Sequence, residues 1–324
     1  MLLASSIFSL VLTLQMHFVL AGDWGCNIPP QGYHEISSLS TVHFGLAPLG
    51  FLLVYHPFIN WLLSRRWDIA EFKRIIATMV LTGGTVYVNP STYKYAVRYY
   101  GKDTILHRIF CALLMKVYGI EAKPARWKIK NSYITQVYSK ELAKDLLTFS
   151  PTYICRNPGR DGKSHPSASF LLEARLETLK EALRLAASST GSVGYTVEPE
   201  HNGGFTVRPF FTFGHLSPPS LLSDYQQVLM RVGLKTSMFL DWRFGRGFLR
   251  SRSWKTLEKL AEMGGFIPEV KVGFGVYRGV EKNLLLQVLL DFHQQNSSFT
   301  YKWDASKAVE SSLNKMNFLK ASSP

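Results

Sequence analysis

Four arginines lie within ten residues, at Arg243, Arg246, Arg250 and Arg252. A guanidinium group donates several hydrogen bonds in one plane, so it can bind a phosphate or the edge of a guanine through two bonds at once. Four charges at this spacing are difficult to bury in a core, because each would then need a partner. The cluster therefore predicts a surface that contacts nucleic acid.

Further candidate contacts recur along segments rich in β-branched and aromatic residues. Alternation of this kind is typical of strands, in which every second side chain lies on one face. We expect these residues to contact bases and phosphates, although core packing is the alternative role of each single aromatic ring. The candidates are Tyr87, Tyr93, Tyr95, Arg98, Lys128, Lys130, Tyr195, Arg208, Phe210 and Thr212.

The distribution of charge also favours a polyanionic partner. The chain of 324 residues has a formal net charge of +14, and none of its 37 lysines and arginines precedes Arg65. Residues 65–324 hold 37 basic and 21 acidic residues, which gives this region a net charge of +16. Such a charge favours nucleic acid or an anionic membrane surface. The alternative is a basic surface that serves only solubility.

The cysteines exclude two classes of small domain. Cys26, Cys111 and Cys155 are widely spaced, so they form neither a zinc-finger pair nor a disulfide framework. We expect inert thiols in a reducing compartment, and hence a cytoplasmic or organellar location. The histidines do not stand at metal-ligand spacing, and no metal site is predicted from them.

Two apolar runs precede the basic region. Residues 1–21 and 44–63 are each close to the length that a helix needs to cross a membrane. Pro48, His56 and Asn60 would be costly in lipid, however. Either residues 1–64 attach the chain to a membrane, or they form an extension beside a soluble core.

The same order of predicted elements occurs twice. Gly84 and Gly191 each follow a helical pattern and precede a strand, and they are 107 positions apart. Each unit predicts the order αββαββα, so we expect an α+β fold of two similar halves related by pseudo-twofold symmetry. The predicted divisions are an apolar segment at 1–66, a first repeat at 67–156, a linker at 157–168, a second repeat at 169–296 and a loosely held tail at 297–324.

Hydrophobic periodicity and turn residues set the expected element limits. Helices are predicted from about 69 to 83, then at 104–118, 140–149, 169–190, 220–232, 253–263 and 280–295. Strands are predicted at 85–88, 93–99, 126–130, 133–138, 192–198, 205–213, 235–244 and 248–252.

Two helices that each end in glycine before a hairpin resemble the LAGLIDADG homing endonuclease family of the two-repeat, single-chain type. Residues 183–191 (LRLAASSTG) align with the nine letters of the motif, and residues 76–84 (IATMVLTGG) align more weakly. Residues 101–120, 220–236, 253–272 and 277–290 are similar to the helices and the closing segment of the family. The resemblance covers residues 68–295.

The resemblance implies a DNA-binding architecture. The motif helices would pack side by side through small residues, with Ala77, Ala186, Ala187 and Ser188 at the contact. The two sheets would form an antiparallel β saddle in the major groove of double-stranded DNA. It also implies a monomer that is intron-encoded.

The resemblance further implies a carboxylate before the last glycine of each motif, to hold a divalent metal ion. Gly83 and Thr190 occupy these two positions, and neither is an acid. We therefore predict that cleavage is absent or very weak, and that Mg²⁺ is a cofactor only if cleavage is retained. Two alternatives remain: an RNA-binding, maturase-like or regulatory protein on the same fold, and a membrane-attached basic protein.

Overall fold

The computed structural model describes residues 56–154, 165–241, 243, 245–295 and 298–321. The first apolar run lies outside the described residues, and the predicted linker at 157–168 is described only from His165 onward. The domain limits at 66, 156, 168 and 296 stay predictions.

The helices of the described residues are α1 Pro57–Ser64, α2 Ile69–Gly83, α3 Thr104–Tyr118, α4 Lys140–Phe149, α5 Leu176–Thr190, α6 Pro219–Arg231, α7 Trp254–Glu262, α8 Lys282–Gln294 and α9 Lys302–Ala321. The strands are β1 Gly84–Asn89, β2 Lys94–Gly101, β3 Pro124–Trp127, β4 Ser132–Tyr138, β5 Ser192–Pro199, β6 Phe205–Ser217, β7 Ser237–Asp241, β8 Arg246–Ser251 and β9 Ser298–Phe299. Short 3-10 segments lie at Pro90–Thr92, Lys128–Lys130 and Ser169–Glu173.

The order of elements repeats as predicted. The run from α2 to α4 and the run from α5 to α7 both follow the pattern αββαββα. Each forms an antiparallel sheet of the same topology, β1-β2-β4-β3 in the first and β5-β6-β8-β7 in the second, and β9 adds to the second sheet along β6. The predicted α+β fold of two repeats is confirmed.

The motif helices α2 and α5 pack against each other. Small residues of the two helices are fully or almost fully buried: Ala77 on α2, and Ala186, Ala187 and Ser188 on α5. Side chains of this size let two helix backbones approach closely. The contact that the sequence resemblance implied is therefore present.

Glycine at the end of each motif helix is required by a close backbone approach. A Cβ atom at Gly84 would lie 2.4 Å from the carbonyl oxygen of Arg98, and one at Gly191 would lie 2.6 Å from that of Ala187. The φ angles of the two glycines, −133° and −93°, are open to any residue. A larger side chain would thus push β1 away from β2 at Gly84, and β5 away from the end of α5 at Gly191.

The end of the second apolar run belongs to the folded core. The ring of His56 accepts a hydrogen bond from the amide of Ile59 at the start of α1, and Ile59 and Leu62 are fully buried. Among the described residues, none of the helices combines the length and the apolar character that a membrane span needs. Membrane association through residues 1–64 stays a prediction.

The predicted helix at 169–190 was wrong at its start. A 3-10 segment ends at Glu173, and α5 begins only at Leu176. The guanidinium of Arg231 donates to the carbonyl oxygens of Leu171 and Leu172, which a continuous helix would use for its own amides. A tertiary contact therefore outweighs the local helical pattern here.

The segment after Asn296 is also more structured than predicted. Helix α9 packs against α8, β5 and β6. Ala305, Val309 and Leu313 follow one another at helical spacing and are buried. The expectation of a loosely held tail is therefore wrong for residues 302–321.

Candidate nucleic-acid interface

The register of the first sheet decides which residues share its outward face. Thr85 pairs with Arg98 and Tyr87 with Ala96, so Tyr87 and Arg98 lie on one face. Val97 and Tyr99 lie on the other face, and both are buried against the helices. The outward face thus carries two of the predicted contact residues, Tyr87 and Arg98.

Arg98 is held in place on this face. Its Nε donates to Oε1 of Gln136 at 2.7 Å, and Gln136 is its cross-strand partner in β4. Tyr138 lies on the same face of β4 and is 72% exposed. An arginine, an amide and a phenol therefore line one exposed surface, where they can donate hydrogen bonds to phosphates or base edges.

Tyr95 was wrongly grouped with these contacts. It pairs with Val88 and faces the core, against which it packs half-buried, with the ammonium of Lys140 5.9 Å from its ring centroid. The alternation places Tyr95 and Arg98 on opposite faces, because their positions differ by an odd number. Tyr93 precedes β2 in a left-handed turn and is 82% exposed.

Lys128 and Lys130 occupy a 3-10 turn between β3 and β4, so the predicted strand at 126–130 ends at Trp127. Both lysines are exposed. The ammonium of Lys130 lies 4.6 Å from the centroid of the Trp127 ring. The two lysines extend the basic surface beyond the sheet.

The second sheet presents its candidates in the same manner. Arg208, Phe210 and Thr212 alternate along β6, and Thr212 pairs with Arg250 in β8. The guanidinium of Arg250 lies 4.8 Å from the centroid of the Phe210 ring, and its Nε has no hydrogen-bond partner among the described residues. Because this Nε is buried, the terminal nitrogens of the guanidinium are the donors that suit a phosphate or a base edge.

Acidic side chains partly neutralise the arginine cluster. Glu198 pairs with Arg252 at 2.8 Å and with Arg208 at 3.4 Å. Asp241 pairs with Arg243 at 2.9 Å. Because all of these are surface pairs, each contributes little to stability, and the arginines remain available to a stronger anion.

Arg246 and Tyr195 complete the predicted set. Arg246 opens β8 opposite Asp241, on the outward face. Tyr195 pairs with Pro209 and lies on the opposite face, where its hydroxyl is 2.8 Å from that of Tyr277. Tyr195 therefore does not share the outward face of Arg208 and Phe210, as Tyr95 does not share that of Arg98.

Several outward aromatic residues were missed by sequence reasoning. The rings of Phe239 and Phe248 stack at 5.6 Å with an interplanar angle of 12°, and the ring of His215 follows at 6.3 Å from Phe248. Phe239 is 44% exposed. The alternation of β7 and β8 contained this signal, but only the pairing register reveals that the rings are adjacent.

The two positions at which the resemblance implies carboxylates do not form a metal site. A Cβ atom at Gly83 would lie 2.8 Å from Cε2 of Tyr99 and 3.1 Å from Oγ of Ser189. The hydroxyl of Thr190 donates to the carbonyl oxygen of Ala186 at 3.1 Å. Burial raises the pKa of the Tyr99 hydroxyl, so this side chain stays neutral and offers no anion to a cation.

A buried cation lies at the end of α5. Nζ of Lys282 donates to the carbonyl oxygens of Ser188 and Gly191, both at 2.7 Å. The negative end of the helix dipole favours this position for a positive charge. Among the described residues, no three metal-ligating side chains come together. A fixed ammonium group and two neutral positions do not fit a divalent cation.

Asp103 is the acid that the fold brings toward Lys282. Its Oδ1 accepts a hydrogen bond from the amide of Lys271 at 3.2 Å. Burial lowers the pKa of Lys282 to about 8, and the charge of Asp103 opposes this effect. Sequence reasoning missed this acid because it is far from Thr190 along the chain.

The pKa of Lys282 predicts a pH dependence of stability. Between pH 8 and 10.5 the unfolded chain retains the proton that folded Lys282 has lost, so the free energy of unfolding rises with pH through this window. The rise attributable to Lys282 is about 3 kcal/mol. Denaturant unfolding of the wild type and of Lys282→Met at several pH values measures this rise. It equals the change with pH in the difference between their free energies of unfolding. A difference that is constant from pH 7.5 to 10.5 would contradict the assignment.

Comparison with known proteins gives a likeness of fold. No protein-family model and no curated protein matches the chain. Solved LAGLIDADG homing endonucleases match its structure. The neighbours are therefore members of the family that the sequence resembles.

Three of these structures illustrate the likeness. The homing endonuclease I-LtrWI bound to target DNA is 12% identical with a TM-score of 0.45, and the match covers 76% of this chain and 98% of that one. I-WcaI bound to its DNA recognition sequence is 11% identical with a TM-score of 0.42, over 68% and 95%. I-DmoI in complex with DNA and Mn is 12% identical with a TM-score of 0.39, over 60% and 97%. At these sequence identities and TM-scores, the likeness concerns the fold and gives no information on DNA binding or cleavage by this chain.

Proposed function

We propose that the chain binds double-stranded DNA through the outward faces of its two sheets, and that it cleaves this DNA very weakly or not at all. The observation that carries the proposal is a matched pair of polar positions. Arg98 and Gln136 form a cross-strand pair in the first sheet, and Thr212 and Arg250 form the equivalent pair in the second. Each pair thus places one arginine outward, on β2 in the first sheet and on β8, the counterpart of β4, in the second.

Charge supports the same proposal. Residues 65–324 carry a net charge of +16. A duplex has regularly spaced phosphates, and an antiparallel sheet can follow its major groove. Two similar sheets in one chain suit two successive stretches of one duplex, so a monomer suffices. The choice of residues on these faces that read the DNA sequence is part of the proposal.

The absence of cleavage rests on the ends of the motif helices. Gly83 is covered by the ring of Tyr99, Thr190 offers a neutral hydroxyl, and Lys282 holds a positive charge beside the end of α5. A divalent cation there would meet a like charge and no pair of carboxylates. This arrangement favours binding without phosphodiester hydrolysis.

Replacing Gly83 by aspartate tests this arrangement. We expect Gly83→Asp to lower the free energy of unfolding by about 1–3 kcal/mol, because its Cβ must displace Tyr99. We also expect no metal-dependent nicking from Gly83→Asp combined with Thr190→Asp, since Lys282 remains. Gly83→Ala is the matched control, because it introduces the Cβ without the charge and should be destabilised similarly. A double variant as stable as wild type that nicks duplex DNA in Mg²⁺ would refute the explanation.

RNA binding is the second candidate function. The observation that favours it is the number of exposed rings on the outward faces, such as Tyr87, Tyr138 and Phe239. Unpaired bases stack on aromatic side chains, whereas a paired duplex offers mainly its edges and phosphates. Maturase-like or regulatory RNA binding would use the same fold with such rings.

Gel-shift titration at several salt concentrations separates the two candidates. Sequence-specific duplex binding predicts that one duplex competes better than random duplexes and structured RNA at every salt concentration. Equal affinity for all duplexes, with tighter binding to structured RNA, would favour the second candidate. Membrane attachment and a cytoplasmic or organellar location stay predictions.

A further inference from the structure

A cavity of about 360 Å³ lies beside the outward face of the second sheet. It is bounded by the edge strand β5 and by the loop between α7 and α8, residues 272–277. The described residues that line it include the rings of Tyr195, Phe210, His215, Phe248, Phe274 and Tyr277, and none of them is acidic. Its size and apolar character are those of a small-molecule site.

The floor of the cavity depends on a glycine. A Cβ atom at Gly194 would lie 2.6 Å from Cζ of Phe210. The absence of this atom lets the Phe210 ring lie flat over the β5 backbone. The ring is also covered by the guanidinium of Arg250, 4.8 Å from its centroid. Both faces of the Phe210 ring are thus covered, and the ring borders the cavity with its edge.

The loop that forms the opposite wall is ordered by its own bonds. The amide of Val272 donates to the carbonyl of Val280 at 2.8 Å, and that of Gly279 donates back to Val272 at 2.9 Å. The contact between the hydroxyls of Tyr277 and Tyr195 ties the loop to β5. The wall is therefore present before any ligand binds.

Apolar side chains on this loop face solvent. Phe274 is 67% exposed and Val276 is 87% exposed. The ring centroid of Phe274 lies 6.3 Å from that of His215, on the outward face. Adjacent exposed apolar groups beside a basic surface mark a position that a partner covers. A planar ring attached to an anionic backbone satisfies both the apolar walls and Arg250.

We infer that this cavity receives one unpaired nucleobase of the bound nucleic acid. The inference rests on the proposed function, since it concerns a base within the strand that the sheets hold. Stacking on the exposed ring of Phe274, with the edge of Phe210 against the base, would offset the unstacking of the extruded base, and Arg250 would contact its phosphate. DNA and RNA share this chemistry, so either strand type can supply the base.

A bulged duplex tests the inference. We expect the wild-type protein to bind a duplex with one bulged adenine about 5- to 150-fold more tightly than the same duplex without the bulge. A bulged abasic nucleotide has the same backbone irregularity but no base, and it should give no such gain. 2-Aminopurine at the bulge should lose fluorescence on binding, because stacking quenches it. DNA and RNA versions of the three duplexes distinguish the two sources of the base.

Two variants distinguish the cavity from the rest of the outward face. Phe274→Ala should lose the preference for the bulge and retain its affinity for the intact duplex. Phe239→Ala removes an exposed ring of the same sheet that does not line the cavity, and it should retain the preference. Thermal unfolding of both variants checks that they are folded. Val276→Ser offers a second change in the wall if Phe274→Ala is unstable.

The outcomes of this experiment separate the two proposals. Equal affinity of the wild type for intact and bulged duplexes overturns the inference and leaves duplex binding intact. Equal gains from the adenine and abasic bulges also overturn it. No binding to any of the duplexes would instead reject the proposed function.

Discussion

Replacing Arg184 by methionine is expected to lower the free energy of unfolding by about 3–5 kcal/mol. The Arg184 side chain is buried, and its NH1 donates to both carboxylate oxygens of Glu181, at 3.2 and 2.9 Å. Its NH2 donates to the carbonyl oxygens of Gly264, at 2.9 Å, and of Phe266, at 3.3 Å. This one side chain therefore links α5 to the turn that follows α7.

The loss of stability arises from the buried polar groups that the substitution leaves without partners. Burial raises the pKa of Glu181, and Arg184 opposes that effect. Without the guanidinium, the carboxylate and at least two carbonyl groups would be buried with no partner. Methionine retains most of the side-chain volume, so packing changes little.

A second ion pair of the same spacing provides the control. Lys180 pairs with Glu177 at 3.1 Å, also three residues apart on α5, but Glu177 is exposed. Lys180→Met should cost less than about 1 kcal/mol, as is usual for surface pairs. Denaturant unfolding measures both values. Similar costs for the two variants would show that burial of the Arg184 pair does not determine its contribution.

The double substitution Arg98→Gln with Arg250→Gln is expected to weaken duplex binding about 10- to 100-fold at 0.1 M salt. These arginines belong to the equivalent outward cross-strand pairs of the two sheets, Arg98 with Gln136 and Arg250 with Thr212. If each contacts one phosphate, the slope of log affinity against log salt should fall by about 2. Fluorescence anisotropy at four or five salt concentrations gives both quantities.

The control removes the same charge from another surface. Lys255 and Lys259 are exposed on α7, which packs beneath β6 and not on the outward face. Lys255→Gln with Lys259→Gln should alter affinity by less than threefold, a change of about 0.6 kcal/mol. If both double variants lose equal affinity, net charge and not the outward faces determines binding.

The repeated topology followed from the sequence because its signals are local. The helical patterns before Gly84 and Gly191 and the strands after them were recognisable, and their order specifies two equal halves. The face of the sheet on which each side chain lies was harder to predict. Tyr95 and Tyr195 are of a residue type that is common at contact surfaces, and only the pairing register places them toward the core.

Contacts that join distant parts of the chain were not predictable. Lys282 reaches the carbonyl groups at the end of α5, and Asp103 approaches Lys282 from the first repeat. The ring of Tyr99 covers Gly83 because β2 folds back over the end of α2. The sequence indicated that two carboxylates were missing, whereas the fold identifies the ring and the ammonium group that lie at those helix ends.

Binding without cleavage is tested most directly on a duplex that the protein itself has selected. A randomised duplex library would be enriched by repeated binding at 0.15 M salt, and the enriched duplex would then be incubated with saturating protein and Mg²⁺ or Mn²⁺. Binding without efficient cleavage predicts an enriched sequence that is bound and left intact, with both strands of full length on a denaturing gel. Metal-dependent cleavage of most of the bound duplex, or a library in which no sequence is enriched, would contradict binding without efficient cleavage.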